Sequence, residues 1–319
     1  MTHPIDVSVI IAAWNAQDYI QDAIESALSQ QNVSLEVIVV DDASPDETYE
    51  TVQKLALKDA RIRVFKLDVN GGPSKARNKA IEMAKGRFIA VLDSDDAFLP
   101  DRLDKLVQVG DQENADIIVD NMMRVNAAGQ KIDTGNFLEN AEYQERHIIG
   151  LEQYVSSNIM MSGAAALGYL KPLFRATSLE KLDVSYDETL RNSEDYYLVT
   201  DLLVGGAKMV YDPFVGYAYQ VEEGSISHRL TSELTAKLVD AAQRFDVRQA
   251  GKLSKAEEKA VKRYRLRLEH THVFQQIVEC LKMKHFIGVL RVLLPNMDAF
   301  PFVLGQFWGI LKEKISIAK

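Results

Sequence analysis

An α/β architecture with a mostly parallel central sheet, helices on both faces and a helical tail is what the sequence predicts. Three observations carry it. Over the first 120 residues, short β-branched apolar runs alternate with stretches of helical periodicity. The connections are short, as in parallel strands joined by crossover helices. Acidic, glycine-bearing or aromatic residues recur where the apolar runs stop, the edge at which open α/β sheets bind ligands.

The elements come in this order. "VSVIIAA" (7–13) is apolar throughout, as a strand buried on both faces requires. "YIQDAIESALSQ" (19–30) puts Ile20, Ile24 and Ala27–Leu28 on one helical face. "LEVIVV" (35–40) is the second strand. In "SPDETYETVQKLAL", Ser44 is expected as helix N-cap, Pro45 at the first helical position and Glu47 closing a capping box. "IRVFKL" (62–67) is the third strand and "PSKARNKAIEMAK" (73–85) the third helix, stopped by Gly86. "RFIAVLD" (87–93), "PDRLDKLVQVG" (100–110) and "ADIIVD" (115–120) complete the alternation. Beyond it, "VNAAGQKID" (125–133) reads as a hairpin turn. "NIMMSGAAALGYLKPLF" is small and apolar, lining a site or forming a buried wall, and "EDYYLVTDLLVGG" is a helix opening on two acids.

Composition bounds the class. The chain has 319 residues, 47% hydrophobic and 26% charged, enough for a packed core. A single cysteine, Cys280, excludes an internal disulfide and suits a reducing compartment. "MTHPIDVSVII" lacks the basic and apolar regions of a signal peptide, and no unbroken run of 18 apolar residues predicts a spanning helix. The net charge of -9 is unevenly spread: residues 251–319 hold 13 Lys/Arg against 6 Asp/Glu, +7, leaving -16 for the rest. The tail is helical, with a basic stretch (254–283) and the apolar "FPFVLGQFWGILKEKI". It either packs on the body or meets an anionic membrane surface, with Lys312, Lys314 and Lys319 toward the lipid.

Candidate functional residues stand at the strand ends. Trp14 and Asn15 come after the first strand, Asp41 and Asp42 after the second, "NGGPSKARN" (70–78) after the third, and "DSDD" (93–96) after the fourth. Adjacent carboxylates at a buried strand end repel and cannot sink into the core unpaired. "DSDD" suits a hard divalent cation held through oxygen, or equally an Asp-rich turn capping the next helix. Gly71 and Gly72 with Lys75 and Arg77 suit an anion at a helix N-terminus, or a plain turn. Trp14 suits base stacking or core packing. No G-x-G-x-x-G or G-x-x-x-x-G-K-[ST] is present, so a dinucleotide fold and a P-loop lack their apparatus.

Taken together, "VSVIIAAWN", "IVVDDASPDET", "GGPSKARNKAI" and "GRFIAVLDSDDAFLPDRL", in that order and spacing, resemble the family 2 inverting glycosyltransferases of the GT-A nucleotide-diphospho-sugar transferase fold. "KPLFR" (171–175) and "YDETLRNSEDYYL" (186–198) extend the likeness to about residue 229. The resemblance implies a catalytic domain over 1–229, with a nucleotide-binding half (1–120) and an acceptor half (121–229), before a helical extension over 230–319. It implies that Trp14 stacks on the base, Asp42 reads it, and Arg77 approaches the nucleotide. Asp93 and Asp95 would hold Mn2+ or Mg2+ with Asp95 as the direct ligand, and Asp195 would be the catalytic base. The implied partners are a nucleotide-sugar donor, a UDP-hexose, and a glycan or lipid-linked acceptor, in cell-surface polysaccharide assembly on the cytoplasmic side of the membrane. Nucleic acid is not an expected partner.

Two departures qualify this. The Q-x-x-R-W signature of processive synthases is missing, which puts repeated polymerisation in doubt. Gln220 to Glu223 stand where relatives often carry a basic residue, leaving His228 and Arg229 to close over a diphosphate. Rival classes fit less well. A phosphoacceptor receiver domain places its acid pair after the first strand, and a nucleotide-sugar pyrophosphorylase wants a glycine-rich loop where "AAWNAQDY" has no glycine. A membrane-docked scaffold leaves the clustered acids unexplained.

Overall fold

The computed structural model describes residues 5–132, 134–162, 166–221 and 230–317, the last five by backbone only. The chain forms two compact units, Met1–Tyr154 with Ala165–Glu223, and Val155–Ala164 with Gly224–Lys319.

The first unit is built on one sheet. β1 (Val7–Ala13), β2 (Leu35–Asp41), β3 (Ile62–Lys66) and β4 (Phe88–Val91) pair in parallel in the order β3-β2-β1-β4. Their crossovers are helices α1 (Ile20–Leu28), α2 (Thr48–Ala56) and α3 (Pro73–Met83). The first two crossovers step away from β1 and the third steps back past it. Right-handed crossovers in opposite directions put their helices on opposite faces. The direction reverses between β1 and β4, which is where open α/β sheets bind ligands. All seven residues of β2 are buried, as are β1 except Ala12 and all of β4, so these strands are covered on both faces; their inner polar residues are paired, Ser8 Oγ donating to Glu36 Oε1 at 2.7 Å.

Beyond β4 the sheet is mixed. β5 (Ala97–Phe98), α4 (Arg102–Gln112) and β6 (Ile117–Val125) come next in sequence, then β7 (His147–Ile149), α5 (Leu151–Ser157), β8 (Leu173–Arg175), α6 (Ala176–Leu182), α7 (Glu194–Val204) and β9 (Met209–Gln220). The order continues β4-β8-β6-β9-β5, with β7 also on β9. Only β6–β9 is parallel in this half. The expected hairpin turn forms at Asn126–Gln130.

The capping box expected at Ser44 is absent. α2 starts at Thr48, and its first turn is held by Asp46, whose Oδ1 accepts from Thr48 N (3.2 Å) and Oγ1 (2.6 Å). Ser44 is drawn into the β1–β2 rim instead: its Oγ accepts from Asn15 N, and its own N–H donates to Asp41 Oδ2.

The second unit holds α8 (Ser232–Gln249), α9 (Lys255–Lys282), α10 (Phe286–Leu293), a 3-10 segment (Leu294–Ala299) and α11 (Phe300–Ile317). Ser254 and Glu257 form a reciprocal capping box at the start of α9. The sequence reading foresaw no segment able to span a membrane. By length and composition Phe286–Lys312 is one, at mean hydropathy 1.5 over its most apolar stretch. Its scattered polar residues hide it from a search for unbroken apolar runs. Non-helical backbone at Asn296 (φ -124°, ψ 44°) interrupts it.

Candidate active site

The reversal point gathers side chains from four elements. Asp41 and Asp42, consecutive on a strand, point to opposite sides. Asp41 is fully buried at the end of β2; its Oδ2 accepts from Ser44 N (3.2 Å) and lies 3.8 Å from Lys66 Nζ. Asp42 turns the other way and takes two consecutive backbone donors, Gly71 N to Oδ1 and Gly72 N to Oδ2, each at 2.7 Å. The glycine pair therefore cradles a carboxylate of the protein itself. Each Asp42 oxygen keeps a further lone pair. Gly72 sits at φ +88°, and a Cβ there would lie 3.2 Å from the Arg191 side chain, so this position needs glycine. Trp14 is 52% exposed at the rim, which excludes the core-packing alternative.

α3 then presents one face, at spacings of three and four residues, to the loop before α7. Ser74 Oγ donates to the Leu190 carbonyl (3.0 Å). Asn78 exchanges two hydrogen bonds with the Tyr186 backbone (3.0 and 2.9 Å). Between them Arg77, almost fully buried, donates to Glu194 Oε1 and Asp93 Oδ1, each at 2.6 Å, and lies 3.7 Å from Asp195 Oδ1. The "SKARN" segment is thus a docking face that brings residues more than 100 apart into one cluster. Burial opposes the Arg77 charge, but Asp195, Asp93 and Glu194 outweigh it and raise its pKa further.

Lys171 completes the cluster and was missed by the sequence reading, although "KPLFR" was singled out. Its ammonium lies 2.7 Å from Asp93 Oδ2 and 3.3 Å from Asp195 Oδ2. Burial would lower its pKa, but the two carboxylates raise it well above the usual lysine value. Its carbonyl accepts from Arg102 Nη2 (2.5 Å), and Arg102 is itself buried against Asp120 and the rings of Phe98 and Tyr217. Asp93 has one cation on each oxygen. Burial works against its ionisation, yet Lys171 and Arg77 hold its carboxyl well below the usual range.

The four residues of "DSDD" divide by environment. Asp96 is buried, accepting from Tyr217 Oη (2.7 Å) and Gln220 N (2.8 Å), so it fastens the turn to β9. Burial first, then the charges of Asp93 and Asp95, push its carboxyl well up. Asp95 is half-buried on the turn.

Asp195 opens α7, where the helix N-terminus favours a negative charge. It is 7% exposed. Lys171 holds one oxygen, while Oδ1 is buried with no hydrogen-bond partner among the described residues. Tyr186 Oη is buried too, in hydrogen-bonding range of the Asp195 carboxylate though not in good hydrogen-bond geometry. Burial, and after it the Asp195 charge, raises its phenol well above the ordinary value. The structure therefore brings Arg77, Asp93 and Asp195 together, with Lys171 and Glu194, while Trp14 and Asp42 flank the neighbouring strand ends. His228 and Arg229 lie outside the described residues.

A profile of the family described as Glycosyl transferase family 2 matches residues 8–168, half of the chain. Across 301 residues the chain is 37% identical to the succinoglycan biosynthesis protein ExoO of Rhizobium meliloti (strain 1021), covering 94% of this chain and 83% of that protein. The chain belongs to glycosyl transferase family 2. It is also 30% identical over 229 residues to the Escherichia coli protein WfaP, named a UDP-Glc:alpha-D-GlcNAc-diphosphoundecaprenol beta-1,3-glucosyltransferase, covering 72% of this chain and 82% of that protein. The crystal structure of Staphylococcus aureus TarS 1-349 in complex with UDP-GlcNAc matches with a TM-score of 0.66 over 90% of each chain at 18% identity, a likeness of fold. The fold is accordingly that of the GT-A glycosyltransferases.

Divalent metal use is typical of family 2. Among the described residues no group of three or more His, Cys, Asp or Glu side chains is arranged to hold an ion. A metal that keeps water and donor oxygens in its shell needs only one or two protein carboxylates. Asp93, with a cation on each oxygen, retains only its remaining lone pairs.

Proposed function

We propose that this family 2 enzyme transfers a hexose, with inversion, from a uridine diphosphate donor to a hydroxyl of a glycan or lipid-linked acceptor in cell-surface polysaccharide assembly. The observation that carries it is Asp195: a buried carboxylate at a helix N-terminus, with Oδ2 fixed by Lys171 and Oδ1 making no close hydrogen bond among the described residues, Arg77 standing 3.7 Å away. Such an oxygen suits a proton leaving a hydroxyl. The printed names of ExoO and WfaP support the polysaccharide setting, the UDP donor and the lipid-linked acceptor. The reaction belongs on the cytoplasmic side of the membrane, at its inner face.

In this reading residues 1–120 bind the nucleotide and 121–229 the acceptor, with 230–319 as an extension. Trp14 stacks on the base, and Asp42 reads its edge through the lone pairs not used by Gly71 and Gly72. Asp95, with Asp93 beside it, would hold Mn2+ or Mg2+, which when bound would supply neutralisation of the departing diphosphate. Arg77 acts through the carboxylates it ties together. Asp195 takes the acceptor proton as the hydroxyl oxygen bonds to the anomeric carbon; the bond from that carbon to the diphosphate oxygen breaks with its electron pair on the diphosphate. Lys171 orients Asp195 through its Oδ2. The test is a panel of UDP- and GDP-sugars scored for release of the nucleotide diphosphate. Turnover of one UDP-sugar that is lost in Asp195→Asn supports the reading; no turnover of any donor, with UDP binding absent, refutes it.

A further inference from the structure

The segment from Lys282 to Lys312 carries apolar side chains on two faces. The inner face is used within its own unit. Val289, Val292 and Leu293 of α10 and Phe302, Val303 and Phe307 of α11 pack around Val273, Phe274 and Ile277 of α9. The outer face is exposed: Ile287, Leu290, Leu294, Met297, Leu304 and Trp308. Ile287, Leu290 and Leu294 stand three and four residues apart on one side of the break at Asn296, and Leu304 and Trp308 four apart beyond it, so each helix carries its own exposed apolar stripe. Apolar stripes of this kind are an interaction surface rather than ordinary exposed surface.

Charge identifies the occupant. Lys282, Lys284, Arg291 and Lys312 accompany the stripes, against one acid, Asp298, which already receives His270 Nε2 at 3.1 Å. Lys312 stands over the Trp308 ring, 5.6 Å from its centre, the pairing of cation and indole suited to a headgroup boundary. Residues 251–319 carry +7 while the remainder carries -16. A second copy would bring like charge to like charge. A spanning helix is disfavoured by the break at Asn296 and by the inner face already committed to α9. We infer that α10 and α11 form a docking surface for an anionic lipid bilayer and lie flat in its interface. This surface does not depend on the transfer chemistry, and its test reads lipid binding alone.

The full chain is centrifuged with vesicles of phosphatidylcholine, with and without phosphatidylglycerol. It co-sediments with the anionic vesicles at low salt and is released as salt is raised. The chain has two tryptophans, so in a Trp14→Phe background the emission of Trp308 shifts to shorter wavelength on binding. Leu290→Glu with Leu304→Glu abolishes sedimentation without changing helicity or size, because both side chains are exposed. Lys284→Gln with Lys312→Gln weakens binding by roughly 20-fold, at about fivefold per charge near the surface. Three results overturn the inference: no sedimentation at low salt, a dimer that Leu290→Glu and Leu304→Glu disperse without any vesicle binding, or membrane-bound protein that only detergent extracts.

Discussion

Lys171 Nζ stands 2.7 Å from Asp93 Oδ2, and its other side faces Asp195 at 3.3 Å. One ammonium thus serves the acid just after β4 and the acid that opens α7, residues that lie about 100 positions apart in the chain. Without it, Asp93, Glu194 and Asp195 would share Arg77 alone.

Replacing this lysine has a readable pH signature. Lys171 and Arg77 hold the Asp93 carboxyl below its ordinary value of 3.8, against the opposing effect of burial. A depressed carboxyl contributes stability that is present above the unfolded value and is lost as pH falls through the folded one. In Lys171→Met that contribution shrinks. The difference in melting temperature between the native protein and the variant should be full at pH 6–7 and narrow as pH drops below about 4. A difference that ignores pH would mean that the lysine acts by packing only.

Arg77→Gln leaves buried carboxylates without their main cation. Breaking a buried pair by removing one partner costs about 3–5 kcal/mol. Denaturant unfolding should show a loss of that order, with Arg77→Lys recovering part of it. An unchanged midpoint would contradict the geometry of the cluster.

Asp195→Asn preserves shape and removes the proton acceptor. Turnover should fall roughly 100-fold or more while UDP binding persists. The same fall appearing as lost donor affinity, with turnover at saturation intact, would move the base elsewhere.

For the metal and the base platform, titration of UDP into the protein separates two contributions. Asp95→Ala should lose the Mn2+-stimulated part of binding. Trp14→Ala should weaken binding with or without the ion, by about 1–3 kcal/mol. Trp14 is exposed, so melting should not change. Binding of UDP that EDTA leaves untouched would remove the metal from donor recognition.

Much of this site was legible because its parts lie at the ends of strands whose composition is unmistakable. The runs ending at Ala13, Asp41 and Val91 are mostly apolar and buried, and the residues just past them fall on one edge of the sheet. Lys171 was not legible in this way. It precedes a three-residue strand, too short for any period, and its meaning comes from Asp93 and Asp195, which no local pattern connects to it. Ser44 shows the opposite failure. The capping pattern was present, but Asn15 and Asp41, brought by β1 and β2, claim the same side chain and amide. Likewise the glycine pair looked ready for a phosphate because nothing in its neighbourhood along the chain revealed that Asp42 would fill it. The apolar segment in the tail was read as either packed on the body or membrane-facing; one of its faces packs on α9 of its own unit and the other is exposed.

The position of β8 has a consequence for how the protein is made. Leu173–Arg175 is late in the sequence, yet it lies between β4 and β6, pairing with both. A nascent chain that has emerged only as far as residue 168, where the family match ends, has every parallel strand of the first half but a gap at the centre of its sheet. Two unpaired edges then face each other with nothing to fill them, the condition that invites pairing with another chain. Synthesis of a few more residues bridges β4 to β6 and delivers Lys171 to Asp93 in the same step, while β5 and β7 still wait for β9. The stretch that defines the family and the stretch that folds are therefore different lengths, and truncations for expression should reach past β9 rather than stop at the end of the recognised motifs.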